Sequence, residues 1–149
     1  VFVAEQSYQQ DLIWDFRRGI SEALDRVGTV IPEDVVVPRD RIVKLVSFIK
    51  DIEDKYSTKI YTFGHIGDGN MHIDIIKKDN WKDNGESVVR EIFNEVKSLG
   101  GKISGEHGIG YTKKKYLEYS RSEKEIKTMK RIKKIFDPDN IMNPGKIFN

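Results

Sequence analysis

All three histidines of this 149-residue chain fall within two glycine-rich motifs. The first is Gly64-His65-Ile66-Gly67-Asp68-Gly69-Asn70-Met71-His72, and the second is Ser104-Gly105-Glu106-His107-Gly108-Ile109-Gly110. Imidazole titrates near neutrality and is the commonest metal ligand, so its confinement to two loop-like stretches beside Asp68 and Glu106 points to one shared site. A hairpin between the two ends of the first motif would set His65 opposite His72 on one sheet face, with Cβ atoms about 5 Å apart. One ion bonded to imidazole nitrogen at about 2.0 Å could join them. Glu106 then supplies a third ligand, and two imidazoles with one carboxylate leave open positions, as a catalytic rather than a structural metal requires. Neighbouring side chains of an extended or turning backbone point apart, so His107 is expected to face a substrate as a base and not to share the ion. A plainer alternative stays open for each motif. Gly67-Asp68-Gly69-Asn70 is also an ordinary tight-turn sequence, and Glu106 could bond only to backbone in its own loop. The His-Glu-x-x-His pattern of zinc proteases is absent, so peptide hydrolysis has no specific support.

The elements that must position these motifs follow from apolar spacing. From Gln9 to Val27, residues Ile13, Phe16, Ile20, Leu24 and Val27 recur every three or four positions, which predicts an amphipathic helix ending near Gly28. Val35-Val36-Val37 predicts a short buried strand stopped by Pro38, and Ile42, Leu45, Val46, Ile49 and Ile52 predict a second helix. Lys59 to Gly64 and Asn70 to Lys77 alternate as strands joined by the Gly and Asp turn. Val88, Ile92, Val96 and Leu99 mark a third helix closed by Gly100-Gly101, and Lys102-Ile103-Ser104 reads as a last short strand. The order β, α, β, β, α, β predicts an α+β fold: a ferredoxin-like antiparallel sheet with two helices on one face, an added N-terminal helix and C-terminal helices. Ser122-Glu123-Lys124-Glu125 opens the final helix as a capping box, and Asp137-Pro138-Asp139-Asn140 ends it in a turn.

Composition narrows the classes further. The 26 basic and 24 acidic residues leave a net charge of +2, too little for a field-driven nucleic-acid or membrane partner. The lysines at Lys113-Lys114-Lys115 and from Lys124 to Lys134 read as solvated helix surface, interleaved with Ile126, Met129, Ile132 and Ile135. No cysteine is present, which excludes disulfides, thiolate ligands and a cysteine nucleophile and suits a reducing compartment. No apolar run approaches the roughly 20 residues needed to span a bilayer, and the opening Val1-Phe2-Val3-Ala4-Glu5 has neither an initiator Met nor a signal-peptide layout. The chain reads as a fragment.

The two histidine motifs and the terminal Asn143-Pro144-Gly145-Lys146-Ile147-Phe148, taken together and in order, resemble the C-terminal domain of FAD-linked oxidases of the vanillyl-alcohol oxidase type. The resemblance is strongest to the group of glycolate oxidase D subunits, D-lactate dehydrogenases and D-2-hydroxyglutarate dehydrogenases, and it runs from about Trp14 to the end. It implies a divalent metal, zinc, manganese or iron, on His65, His72 and Glu106, with His107 taking the hydroxyl proton of a small 2-hydroxy acid. It also implies that Trp14 to Ser21 is the substrate helix, where Arg17 would hold the carboxylate with Ser21 one turn later on the same face. The Asn143 to Lys146 turn would touch the isoalloxazine side of FAD.

Two departures qualify what the resemblance implies. The hydroxyglutarate enzymes place a lysine shortly before the second strand, whereas this chain has Ile31-Pro32-Glu33, so lactate or glycolate is favoured over a longer dicarboxylate. No dinucleotide fingerprint is present either, so most of the FAD is expected on a separate flavin-binding domain, with residues 1–149 as the substrate domain. A stand-alone metal hydrolase with the same ligands, or a noncatalytic module associating with a separate FAD subunit, are the competing readings. Uncovered apolar surface could give a homodimer. A cytoplasmic or peripherally membrane-associated location is expected, and nothing in the residues names the electron acceptor.

Overall fold

Alternating apolar residues on three strands meet the apolar stripes of two helices across one face of a small sheet. The computed structural model describes residues 3–77 and 81–148, without the side chains of Ser21, Asp25 and residues 81–83. Helix α1 (Ser7–Asp25) is followed by β1 (Val30–Val36), α2 (Ile42–Tyr56), β2 (Ile60–His65), β3 (Asn70–Ile76), α3 (Trp81–Ser98) and α4 (Glu123–Phe136). The sheet is antiparallel with order β1-β3-β2. Val35, Ile60, Ile73 and Ile75 pack with Leu45, Ile49 and Ile52 of α2 and with Val88, Ile92, Phe93 and Val96 of α3. The expected α+β class and the two helices on one face are therefore present, and this core closes within the chain.

The fourth strand differs from expectation. Residues 102–104 contribute a single bridge, Val36 to Lys102, instead of a ladder. Side chains take the backbone groups that a ladder would use: Ser120 Oγ accepts the Ile103 N–H at 2.8 Å, and Lys113 Nζ donates to the Ile103 carbonyl at 3.2 Å. Strand β1 also begins earlier than its valines suggest, taking in Pro32, Glu33 and Asp34. As an edge strand it tolerates a proline, which has no N–H to donate.

Helix ends follow local chemistry. Ser122 and Glu125 form the expected reciprocal capping box of α4. Gly100, at φ 78°, closes α3, with the Gly101 N–H on the Val96 carbonyl at 2.8 Å. The apolar residues of α1 and α4 are less covered than their periodicity implies: Trp14, Phe16, Ile135 and Phe136 are exposed.

The turn between β2 and β3 depends on Gly69, which sits at φ +79°. A Cβ there would stand 2.1 Å from the Val37 carbonyl oxygen. Gly69→Ala combines a left-handed backbone with a clash against main chain, and is expected to lower stability by about 2–3 kcal/mol in urea denaturation.

Candidate metal and substrate site

The sheet face opposite the core carries the chemistry. In the β2–β3 register Phe63 pairs with His72 and His65 with Asn70, while β1 sets Asp34 opposite His72. His65 and His72 thus share one face as expected, but as diagonal neighbours instead of direct partners, with ring centroids 5.5 Å apart. The turn fixes this offset. The His65 carbonyl accepts the Asp68 and Gly69 N–H groups at 3.2 and 3.0 Å, and Asp68 Oδ1 accepts the Asn70 N–H at 3.0 Å. Asn70 is therefore the first residue of β3, two positions before His72. Its own Oδ1 is buried beside Gly105 and has no hydrogen-bond partner among the described residues.

The second motif is folded onto the same face by Asp34. This side chain has no solvent exposure, and its Oδ2 accepts the N–H groups of Gly105, Glu106 and His107 at 2.7, 2.7 and 3.1 Å. Its Oδ1 accepts Lys113 Nζ at 2.7 Å. Burial works against the Asp34 charge, but Lys113 and the loop N–H groups outweigh it and hold the carboxyl down at about 2.

Held in this way, Glu106 Oε1 lies 3.2 Å from His72 Nε2, and one ligand atom each from His65, His72 and Glu106 all lie within 4.8 Å of one another. Two donors bound to one ion at 2.0–2.2 Å are at most roughly 4.4 Å apart, so small side-chain rotations close the set. Burial pushes the His72 imidazolium pKa down, against the opposing pull of Glu106, which favours the neutral ring that a metal needs. Both the donor chemistry and the spacing fit a divalent cation.

His107 stands beside this trio. Its Nδ1 is 3.5 Å from Asp34 Oδ1, its Nε2 is 3.8 Å from Glu106 Oε1, and its ring stacks at 5.6 Å from that of His72. A cavity of about 550 Å³ opens over the group, its lining including Arg17, Phe63, His72, Asp74, Glu106 and His107. Arg17 reaches it from α1, with its guanidinium carbon 5.8 Å from the Phe63 ring centre.

The family model described as "FAD linked oxidases, C-terminal domain" matches residues 1–147. The chain belongs to this family. It is 43% identical over 153 residues to "Glycolate oxidase subunit GlcD" of Bacillus subtilis (strain 168), an alignment covering 99% of this chain and 32% of that protein. It is 43% identical over 157 residues to "D-2-hydroxyglutarate dehydrogenase" of Stutzerimonas stutzeri (strain A1501), covering 98% and 33%. It is 34% identical over 152 residues to "D-lactate dehydrogenase" of Anaerostipes hadrus, covering 99% and 32%. The chain spans about a third of the length of these curated relatives.

In this FAD-linked oxidase domain the fold brings His65, His72, Glu106, His107 and Arg17 to one place. Ser21 follows Arg17 on α1, but its side chain lies outside those described. Asn143 and Lys146 are not in the cavity lining. They form a turn, with Asn143 at φ 47°, that the Ile147 N–H ties to the Gly110 carbonyl at 2.7 Å, next to the second motif. Lys146 instead lines a separate cavity of about 250 Å³ with Lys130, Lys133 and Lys134. Sequence reasoning missed Asp34, Lys113, Phe63 and Asp74. The signal for Asp34 was two adjacent acids, Glu33 and Asp34, leading directly into three valines. Lys113 read as the start of an exposed lysine run but is buried.

Proposed function

We propose that this chain is the substrate-binding domain of an FAD-dependent oxidoreductase that oxidises a small D-2-hydroxy acid, of the lactate or glycolate type, to its 2-oxo acid. The observation that supports it is the convergence of His65, His72 and Glu106 beside His107 in a cavity that Arg17 also lines. His65, His72 and Glu106 would hold a divalent zinc, manganese or iron ion. When bound, such an ion draws substrate oxygens together and lowers the pKa of the hydroxyl. The flavin, carried mainly by an FAD-binding partner domain, supplies the hydride acceptor. Arg17 orients the substrate carboxylate through its planar fork, with Ser21 one turn away. His107 takes the hydroxyl proton at Nε2, the ring nitrogen not facing Asp34. The Asn143 to Lys146 turn is assigned to the flavin side.

The small-acid reading is supported by the lining of the cavity: among its described residues Arg17 is the one arginine or lysine, so a single substrate carboxylate has a guanidinium to meet. The relatives' names include both glycolate and 2-hydroxyglutarate enzymes and do not decide this. The exposed Trp14, Phe16, Ile135 and Phe136 give apolar surface to the partner domain or to a second copy of the chain. Among the described residues no helix is long and apolar enough to cross a membrane.

The reading is tested by titrating the chain with Mn²⁺ or Zn²⁺. One ion is expected per wild-type chain, with binding at least about 10-fold weaker in His72→Ala. Equal binding by both would overturn the ligand set. In the flavoprotein that contains this domain, flavin bleaching should be faster with D-lactate or glycolate than with D-2-hydroxyglutarate, and the reverse order would overturn the substrate assignment.

A further inference from the structure

We propose that Asp34 is the positioning residue of this site: its carboxylate pins the loop that carries Glu106 and holds His107 with the proton on Nδ1 and the lone pair on Nε2. The inference builds on the reading of His107 as the base and of Glu106 as a metal ligand. Three successive N–H groups converging on one oxygen form the type of nest that usually cradles an anionic ligand. Here the anion is supplied by β1, and the nest consists of Gly105, Glu106 and His107. Ser104 Oγ adds contacts of 3.3 Å to both carboxylate oxygens. The loop is thereby tied to a strand of the sheet at every residue from 104 to 107, and that strand pairs Asp34 with the ligand His72.

Lys113 makes this buried charge tolerable. Its side chain is 8% exposed and reaches Asp34 Oδ1 at 2.7 Å and Glu33 Oε2 at 2.9 Å, and it also donates to the Ile103 carbonyl. A neutral side chain could anchor a loop, but it would not set a fixed negative charge against one particular nitrogen of a nearby imidazole. Asp34 Oδ1 does so, at 3.5 Å from His107 Nδ1. An ionised carboxylate can only accept, and each ring nitrogen faces one. Asp34 Oδ1 is nearer, at 3.5 Å, and fully buried, whereas Glu106 Oε1 is 3.8 Å from Nε2 on a half-exposed, water-screened side chain, so Nδ1 is favoured as N–H and Nε2 keeps the lone pair. Free imidazole in water prefers the opposite arrangement, so the tautomer reports the action of Asp34 directly.

Long-range ¹H–¹⁵N spectra of the metal-free, ¹⁵N-labelled chain, recorded at a pH where the rings are neutral, read the tautomer of each histidine. With three histidines in the chain, His65→Gln and His72→Gln complete the assignment. His107 is expected as the Nδ1–H form in the wild type and as predominantly Nε2–H in Asp34→Asn. An Nε2–H ring in the wild type, or a tautomer unchanged by the substitution, would overturn the orienting role. If Asp34→Asn fails to fold, Glu33→Gln/Asp34→Asn/Lys113→Gln removes all three buried charges together and gives the same readout. Mn²⁺ binding measured by calorimetry should weaken about 10-fold in the folded variant, because Glu106 is no longer held. Unchanged affinity would overturn the pinning role. A wild-type chain that binds no Mn²⁺ would instead count against the ligand set, and the tautomer would still decide the role of Asp34 toward His107.

Discussion

Lys113→Met is expected to cost the folded state about 3–5 kcal/mol at neutral pH, read as a lowered urea midpoint with a nearly unchanged slope. The reason is charge left behind. Asp34 has no exposed side-chain surface and Glu33 very little, and Lys113 is the cation within ion-pair distance of both. Removing it leaves two carboxylates buried side by side, with loop N–H groups compensating only Asp34. The wild-type pH dependence follows from opposite shifts of the same two acids. Asp34 has a folded value of about 2 against an ordinary 3.8, so its stabilisation, about 2 kcal/mol, is complete above 3.8 and is lost as pH falls through 2. Glu33 is raised above 4.5, chiefly by burial, so the folded state binds its proton first and stability increases as pH falls through that raised value toward 4.5. On mild acidification the Glu33 gain opposes a loss from His72, whose burial-lowered pKa costs stability as pH falls below 6.5, so Glu33→Gln should lose stability with acidification more steeply than the wild type before both collapse in strong acid. In Lys113→Met the Glu33 limb should be steeper and shifted to higher pH, since the cation opposing its protonation is gone. A pH profile parallel to that of the wild type would show that the triad is not coupled as its distances require.

Much of this arrangement was legible in the sequence because it is periodic. The helices around Leu45 and Ile92, the β2–β3 hairpin and the α4 capping box all follow from spacing and from turn or cap chemistry. What escaped was set by tertiary contacts. Pro32, Glu33 and Asp34 break an apolar strand pattern, and they belong to β1 because an edge strand can take a proline and because Lys113 supplies a buried countercharge. Lys102-Ile103-Ser104 has a strand-like composition, yet Ser120 and Lys113 capture the backbone of Ile103 before a ladder can form. The shared face of His65 and His72 follows from hairpin parity, but their diagonal offset follows from Asp68, which bonds the Asn70 N–H and decides where β3 begins. Arg17 could be placed only by resemblance, since its reach to Phe63 depends on how α1 lies against the sheet. The site is thus carried by two motifs visible in the chain and held by a buried ion triad that is not.

His107→Gln should lower kcat of the flavin-loaded protein by about 10²–10⁴-fold while changing KM far less. His107 is half exposed at the cavity, whereas the ligand atoms of His65, His72 and Glu106 converge without it. Glutamine keeps a polar side chain of similar reach but cannot accept a proton near neutrality, so what is removed is general-base capacity and not the binding surface. On the proposed roles Arg17 would still meet the substrate carboxylate, and metal binding should remain within about 3-fold of the wild type, because His107 is a neighbour of the proposed ligand set and not a member. His72→Ala provides the contrast, since it should reduce metal binding and turnover together. Should His107→Gln retain wild-type turnover, another group removes the proton, and Asp34 would then be holding His107 for a purpose other than catalysis.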